Sequence, residues 1–409
     1  MTHNFDILFL GGLFPKETEI DILNNSKGNI QNAANNLQWE IITGLDQNLD
    51  QPIQVLNSLY IGSFPKRYKK IYIRNYRFTH NTSNKNGDIN VGFINLPGIK
   101  IFHRFIALKP YINRWAEKDN GRKKIVIAYA MTYTFTHLLR YVKKINKDII
   151  TCLIVPDLPQ YMNLSVRVGL LYKYLKKVEI NAITRDMNFI DCYVLLTKYM
   201  GEKLKIKVPY TIIEGIATDK FDEVSFSERE SGHKTVLYTG TLEKKYGIID
   251  LVESFKKLSG DNYRLIICGT GEAEQFVLDE CKKDSRIVYK GLLKRDEVLK
   301  LQKSVTILIN PRPNNEEYTK YSFPSKIMEY MSSGTPVLAY KLDGIPDEYY
   351  NYIYQIREEE NGLYKSLREV LSKPDTELKE KGQHARSFVL EEKNNVKQTK
   401  KIINMLEVL

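Results

Sequence analysis

Short apolar runs alternate with amphipathic stretches along most of the chain. Apolar runs of about four to eight residues bounded by Gly, Pro or Asn suit buried strands, and helical periodicity between them suits covering helices. In the first half the predicted strands are Phe5–Leu10, Ile53–Leu59, Ile125–Ala130, Ile149–Val155, Cys192–Thr197 and Tyr210–Glu214, with helices over Asn29–Leu37 and Leu164–Val178. A polar segment, 215–234, then reads as a linker. The alternation restarts with strands Thr235–Tyr238, Arg264–Gly269, Ile287–Lys290, Val305–Asn310 and Val337–Tyr340. Between them lie helices Ile248–Leu258, Glu272–Lys283 and Asp296–Ser304, and the charged tail Glu377–Leu409 reads as helical. This order predicts an α/β protein of two Rossmann-like domains, with ligand sites at the carboxyl ends of strands.

The segment Tyr321-Ser-Phe-Pro-Ser-Lys-Ile-Met-Glu329 opens a short helix that stops at Gly334 before Thr335-Pro336. Ser322 suits the N-cap, Pro324 the first helical position, and Gly334 a left-handed residue past the last turn. A helix start gathers unpaired N–H groups and partial positive charge, so it seats phosphate. Lys326 adds a cation and Glu329 a bidentate acceptor, which together suit the diphosphate and ribose of a nucleotide-sugar. The bland alternative is a Lys326–Glu329 surface pair worth a few tenths of a kcal/mol.

With 409 residues the chain exceeds one ordinary core, and 43% hydrophobic with 27% charged residues is globular. The N-terminus has no signal-peptide pattern, and no run reaches the roughly 18 apolar residues of a membrane span. Cys152, Cys192, Cys268 and Cys281 lie far apart and read as reduced core residues of a cytoplasmic protein. The net charge of +12 is uneven: residues 60–124 hold 15 Lys/Arg against Asp88, Glu117 and Asp119, a surplus equal to that of the whole chain. Within it, Leu96–Trp115 interleaves bulky apolar and basic residues at roughly helical spacing until Pro110 interrupts the run. That mixture suits an anionic membrane surface. Nucleic acid is the rival partner, set aside here, and a solvated basic face over a core helix is the bland alternative.

Other loops could carry chemistry. Leu10-Gly11-Gly12-Leu13 ends the first strand, where glycines permit close backbone approach to a ligand or a tight turn. Cys268-Gly269-Thr-Gly271 follows a strand but lacks the third glycine of a dinucleotide fingerprint, so nicotinamide binding is not expected. Tyr238-Thr-Gly240-Thr241-Leu-Glu-Lys244-Lys245 is a strand-to-helix loop whose lysines could face a diphosphate or simply solvent. Arg312 ends the strand Val305–Asn310 and could grip phosphate as a fork, or pair with Glu316 or Glu317. Asp157, between two prolines after a strand, could orient a hydroxyl nucleophile or merely start a turn. The six histidines show no metal spacing, and packing is the expected role of His137.

Together these loops resemble family 4 of the glycosyltransferases, retaining enzymes of the GT-B fold, in which two Rossmann-like domains face each other across a cleft. The family pattern is Glu-x7-Glu, then a helix and Ser-Gly-Thr-Pro-Val; its second glutamate falls on Glu329 and its tail on Met331–Val337. Cys268–Gly271 is similar to the family's GxG strand end, Glu214–Phe221 to its interdomain segment, and Leu195–Met200 to the strand and turn before it. The resemblance spans nearly the whole chain and is specific over 236–348. It looks closest to the branch that builds capsule, exopolysaccharide and O-antigen units, which carries Asn-Pro-Arg and Ser-Phe-Pro-Ser-Lys.

The resemblance implies an acceptor-binding domain over 1–214, a linker over 215–234, a nucleotide-sugar-binding domain over 235–385, and a C-terminal helix over 386–409 able to pack back on the N-terminal domain. It implies that Glu329 binds the ribose hydroxyls and that backbone N–H groups around Phe323, Pro324, Ser325 and Lys326 hold the sugar and diphosphate. With the loops read above, the expected donor contacts are these and Gly11, Gly12, Gly240, Thr241, Lys244, Lys245, Gly269, Gly271 and Tyr321, and the expected catalytic residues are Asp157, Lys326 and Arg312. Three positions depart from the family. Tyr321 replaces the first glutamate, Thr241 and Tyr246 replace the usual Arg and Lys, and Asp157 replaces a histidine. The expected function is transfer of a sugar from a nucleotide-sugar to a lipid-linked or oligosaccharide acceptor at the inner membrane face, with no metal and no cofactor. The rivals are a GT-B-fold epimerase or phosphorylase and a non-catalytic protein that uses the basic patch.

Overall fold

The apolar run that begins at Phe5 forms the central strand of a large sheet. The computed structural model describes residues 4–28, 31–83, 87–159, 170–219, 221 and 232–409. The chain divides into two units, residues 1–216 with 395–409, and residues 217–394.

The first unit contains β1 (Phe5–Gly11), β2 (Gln54–Asn57), β3 (Tyr72–Ile73), β4 (Tyr76–Phe78), β5 (Asp88–Asn90), β6 (Phe93–Ile94), β7 (Lys123–Tyr129), β8 (Ile150–Val155), β9 (Cys192–Leu195) and β10 (Tyr210–Ile212). Eight of them form one sheet in the order β10-β9-β8-β7-β1-β2-β5-β4, parallel except between β4 and β5. Phe5, Ile7 and Phe9 share a core with Ile125, Ile127, Ile150, Cys152 and Ile154. Leu8, Leu10, Val126 and Leu153, on the alternate positions, are buried too. Burial on both faces is why these strands read as unbroken apolar runs.

Helices cover the sheet. The helix Asn395–Glu407 inserts Ile402, Ile403, Met405 and Leu406 into the same core. It crosses the helix Asn32–Asn48 at Gly44, where any Cβ would collide with the carbonyl of Asn395. Asn48 fastens the crossing by donating to Val396 O and Thr399 Oγ1, both at 2.9 Å. The C-terminal boundary expected at 386 therefore falls inside the helix Asp375–Glu392 of the second unit, and the return to the first unit comes at Asn395.

Several boundaries differ from the sequence expectation. The helix expected over Asn29–Leu37 runs Asn32–Asn48, and that expected over Leu164–Val178 runs Leu170–Asp186; residues 29–30 and 164–169 lie outside the described residues. The helix Ile99–Glu117 continues through Pro110 rather than ending there. Leu108, Ile112 and Trp115 are buried on either side of the proline, so packing holds the axis together.

A buried charge cluster ties the far edge of this sheet to its helix. His80 Nδ1 lies 2.5 Å from Asp88 Oδ2, and Nε2 lies 3.1 Å from Asp46 Oδ2. The two carboxylates also accept from the backbone N–H groups of Val55 and Ile53. Burial alone would lower the imidazole's pKa, but Asp46 and Asp88 outweigh it and raise it to about 9. A histidine raised above its unfolded value near 6.5 contributes stability that is complete below that pH. The contribution fades as pH climbs through about 9. His80→Gln should therefore cost roughly 3 kcal/mol of unfolding free energy at pH 6 and little at pH 10, measured by urea titration at both pH values.

The second unit holds β11 (Lys234–Thr239), β12 (Tyr263–Cys268), β13 (Ile287–Gly291), β14 (Ile307–Asn310), β15 (Val337–Ala339) and β16 (Tyr354–Gln355). They form one parallel sheet in the order β13-β12-β11-β14-β15-β16, with Leu237 opposite Leu308. The winding direction reverses between β11 and β14, and such a switch point opens a crevice at the carboxyl ends of the strands. Val236, Tyr238 and Ile267 pack on one face of the sheet, Leu237, Cys268 and Leu308 on the other.

The segment expected as a linker is partly built into this unit. Ala217 N donates to Lys393 O at 2.8 Å, Asp219 pairs with Arg386 at 2.6 Å, and Phe221 is buried. Residues 220 and 222–231 lie outside the described residues.

Candidate functional site

The switch point of the second unit gathers most of the expected donor residues. Past β11 the chain turns at Gly240, enters a short 3-10 turn over Lys244–Tyr246, and starts the helix Ile248–Lys256 at Gly247. Past β12 it runs through Gly269 and Gly271. Backbone hydrogen bonds zip these two loops together: Gly240 N to Cys268 O at 2.8 Å, and Leu242 N to Thr270 O and Ala273 N to Leu242 O, each at 2.9 Å.

That zipper explains Gly269, because a Cβ there would collide with the carbonyl of Gly240 at a φ of +128°. Gly271 likewise lies against the backbone of Leu242, with all three nearest atoms within 2.8 Å of a Cβ position. The close approach these glycines permit is to a neighbouring loop. Gly269→Ala should cost roughly 3 kcal/mol of stability, since a backbone clash adds to an unfavourable φ. Gly291, at φ +65° with open space around it, makes the control. Its alanine variant should cost only about 1 kcal/mol in the same denaturant titration.

The loop after β14 carries Arg312. Its guanidinium stacks 4.6 Å from the Tyr318 ring centroid and 5.6 Å from that of Tyr246. Its Nε and Nη2 are buried with no hydrogen-bond partner among the described residues. No ion pair joins it to Glu316 or Glu317 among the described residues, so the bland alternative for Arg312 is not what forms. Lys245 approaches the Tyr246 ring at 5.5 Å and the Tyr318 ring at 5.9 Å. Two tyrosines, Tyr246 and Tyr318, thus hold two cations near the switch point.

The helix of the motif spans Ser325–Ser332. Pro324 is its N-cap rather than its first residue, and Ser322 does not cap it. The Ser322 hydroxyl donates instead to Tyr318 O at 3.3 Å, closing the preceding 3-10 turn Glu317–Tyr321. Gly334 takes the expected left-handed conformation at φ +76°. Phe323 is buried and tilts against Tyr349 at 5.3 Å, so its side chain serves the core and only its backbone could meet a ligand. Tyr321 bonds Glu317 at 3.2 Å, Thr241 is exposed, and Ser325 is exposed at the helix start.

Lys326 and Glu329 do not form the exposed pair of the bland alternative. The Lys326 ammonium lies against Gly240, 4.8 Å from the ring centroid of Tyr238. Burial lowers its pKa to about 8; Glu329 opposes the shift and Arg312 adds to it. Glu329 is held from two sides, by Gln302 Nε2 at 2.8 Å and by the Arg295 guanidinium at 3.6 Å. Tyr330 hydrogen-bonds Thr239 N at 2.9 Å, pinning the helix to the end of β11.

Lys244 is exposed, and its backbone N–H donates to Glu272 Oε1 at 2.9 Å. Gln302, Arg295, Tyr330 and Tyr318 had no mark in the sequence. Gln302 lies in an ordinary amphipathic helix, Arg295–Ser304, and only its tertiary partners single it out.

The remaining candidates lie in the first unit. Gly11 and Gly12 are buried. A Cβ on Gly12 would collide with the Tyr60 ring, and its N–H donates to Gln38 Oε1 at 2.8 Å. Both glycines are thus occupied by internal packing. Asp157 follows β8 with its side chain exposed, yet surrounding protein withdraws enough water to push its carboxyl up to about 6. His137 packs against Tyr133 and Phe105 and also pairs with the buried Asp186 at 2.9 Å, a contact that packing alone did not predict.

Comparison with known proteins adds three facts. None of the curated proteins compared with the chain matches it. Among solved structures, HepE of Anabaena in complex with UDP shares 12% identity over 99% of this chain and 100% of its own, with a TM-score of 0.62. Sucrose-phosphate synthase of Thermosynechococcus elongatus shares 13% over 98% of each chain at 0.61, and the lipopolysaccharide outer core galactosyltransferase WaaB 14% over 98% and 99% at 0.60. These similarities show the fold, the pair of Rossmann-like domains of GT-B glycosyltransferases. Residues 219–386, which contain every element of the switch-point site, match the family model described as Glycosyl transferases group 1.

Proposed function

We propose that the protein is a retaining glycosyltransferase that moves a sugar from a nucleotide-sugar to a lipid-linked or other saccharide acceptor during synthesis of a bacterial surface polysaccharide. The observation that carries this is the arrangement at the β11/β14 switch point. Lys326, Arg312 and the start of the helix Ser325–Ser332 supply positive charge beside a carboxylate, Glu329, that Gln302 and Arg295 hold in place.

In this scheme Glu329 accepts hydrogen bonds from the ribose hydroxyls. The bond between the anomeric carbon and the diphosphate oxygen breaks, and the leaving diphosphate takes the electron pair. Stabilising that developing charge is the largest contribution such a site makes. The acceptor oxygen bonds the anomeric carbon from the same face, and its proton passes to an oxygen of the departing diphosphate. No metal is invoked. The setting is the cytoplasmic face of the membrane, with the basic residues 60–124 turned toward anionic lipid.

The test is a thermal-shift screen of UDP-, GDP-, CMP- and dTDP-sugars, since a ligand that binds only the folded state raises its midpoint. UDP-sugars come first because HepE, which shares the fold, was solved with UDP. A hit is then incubated with lipid-linked acceptors, and the new anomeric linkage is assigned by NMR. Release of the donor's sugar without transfer, or no shift with any nucleotide-sugar, would remove the proposal.

A further inference from the structure

The first unit contains a group of cations that takes no part in the bond-making and bond-breaking steps above. Arg104 is only 8% exposed, and no carboxylate pairs with it among the described residues. Its Nε donates to Ser58 Oγ at 2.8 Å, and its Nη2 donates to the carbonyl of the same serine. The guanidinium sits among the rings of Tyr60, Phe93 and Phe135, at 5.2, 5.3 and 5.6 Å. One turn earlier on the same helix, Lys100 Nζ donates to Ile61 O at 3.0 Å. Arg67 is exposed; its Cβ lies on Gly62, and its charge is near enough to help lower the pKa of Lys100.

Two cations, Arg104 and Lys100, therefore bond one short loop, 58–62, at the carboxyl end of β2, and Arg67 adds its charge from beside it. Burying a charge without a counter-ion is costly. The strain is visible at Lys100, whose pKa falls to about 8, first through burial and then through Arg104 and Arg67. Lys100 also sits in the first turn of the helix Ile99–Glu117, whose N-cap makes no side-chain bond, so the helix dipole adds to the same positive field. An anion would relieve all of these at once.

The same helix turns Ile99, Phe102 and Ile106 outward, 50%, 61% and 64% exposed at i, i+3 and i+7. An exposed apolar row on the same helix as these cations matches an anionic head attached to an apolar tail.

We infer that Arg67, Lys100 and Arg104 form a binding subsite for a phosphate or diphosphate ester. Assigning that ester to the acceptor rests on the glycosyl-transfer proposal; the subsite itself does not.

The experiment titrates inorganic pyrophosphate onto the full chain by calorimetry. The comparison is between the Arg67→Gln/Lys100→Gln double variant and Arg312→Gln, which leaves this unit intact. Expected is at least a tenfold loss of pyrophosphate affinity at one class of site in the double variant and retention of that class in Arg312→Gln. Both substituted side chains are partly exposed, so the fold should persist. If circular dichroism shows otherwise, Lys100→Gln alone, with an expected threefold loss, decides. Sedimentation with phosphatidylglycerol vesicles repeats the comparison. A parallel loss upholds the subsite and assigns it to a lipid headgroup, and a loss confined to pyrophosphate upholds it for a soluble ester. Unchanged affinity for both overturns it. Nucleotide-sugar binding measured alongside reports on the transfer proposal separately, because it draws on Glu329 and Lys326.

Discussion

Replacing Lys326 with Met is expected to lower kcat by about 10²–10³, the effect of deleting one donor aimed at developing charge. Methionine keeps the apolar stem that lies beside Tyr238 and Gly240, so the loss should appear in initial rates of sugar transfer and not in the melting midpoint. The wild-type pH profile gives an independent reading of the same group. A lysine is cationic only below its pKa, and burial has lowered this one to about 8. In the wild-type enzyme kcat/KM should therefore fall as pH rises through about 8, the range in which the free enzyme loses that charge. Lys326→Arg should move the fall to higher pH, and Lys326→Met should abolish it. A Met variant with wild-type rate would show that the ammonium only fills space under Gly240.

The second large effect is expected at Glu329. Hydrogen bonds to a charged group contribute about 1.5–3 kcal/mol, so Glu329→Ala should lower kcat/KM roughly a hundredfold. Donor affinity measured by calorimetry should fall in step. Gln302→Leu should lose about tenfold, because the carboxylate stays but one of its two supports is gone. Arg295 stands farther off at 3.6 Å and is half exposed, so Arg295→Ala should cost less than either. Donor affinity unchanged in Glu329→Ala would sink the ribose role, whatever happened to the rate.

Strand positions were legible wherever a strand is buried on both faces, because an unbroken apolar run has few other uses. The run Ile125–Ala130 is an example, realised as Lys123–Tyr129. The short strands β3 to β6 were not legible, since two or three residues carry no periodicity. At the site, the motif from Tyr321 to Val337 was visible as a helix start and stop, although its cap was assigned to the wrong residue. The reason is local: Ser322 found a closer acceptor in the preceding 3-10 turn. The glycines at 11, 12, 269 and 271 illustrate the reverse problem. A sequence shows that a backbone is approached closely but not by what, and here the partners are Tyr60, Gln38 and the backbones of Gly240 and Leu242. Gln302 was invisible because its role comes from Glu329, 27 residues on, and Tyr318 because nothing in a loop sequence marks a tyrosine as the ring on which Arg312 stacks.

The helix Asn395–Glu407 has a bearing on biosynthesis. Ile402, Ile403, Met405 and Leu406 belong to the core of the unit that begins the chain. A nascent polypeptide that has already released its first two hundred or so residues still lacks this wall of that core. The second unit, by contrast, is one continuous segment, complete once Asn394 has emerged. Domains fold as units during synthesis. The unit translated first is thus the last to be finished, and it waits with an open apolar face while its neighbour folds.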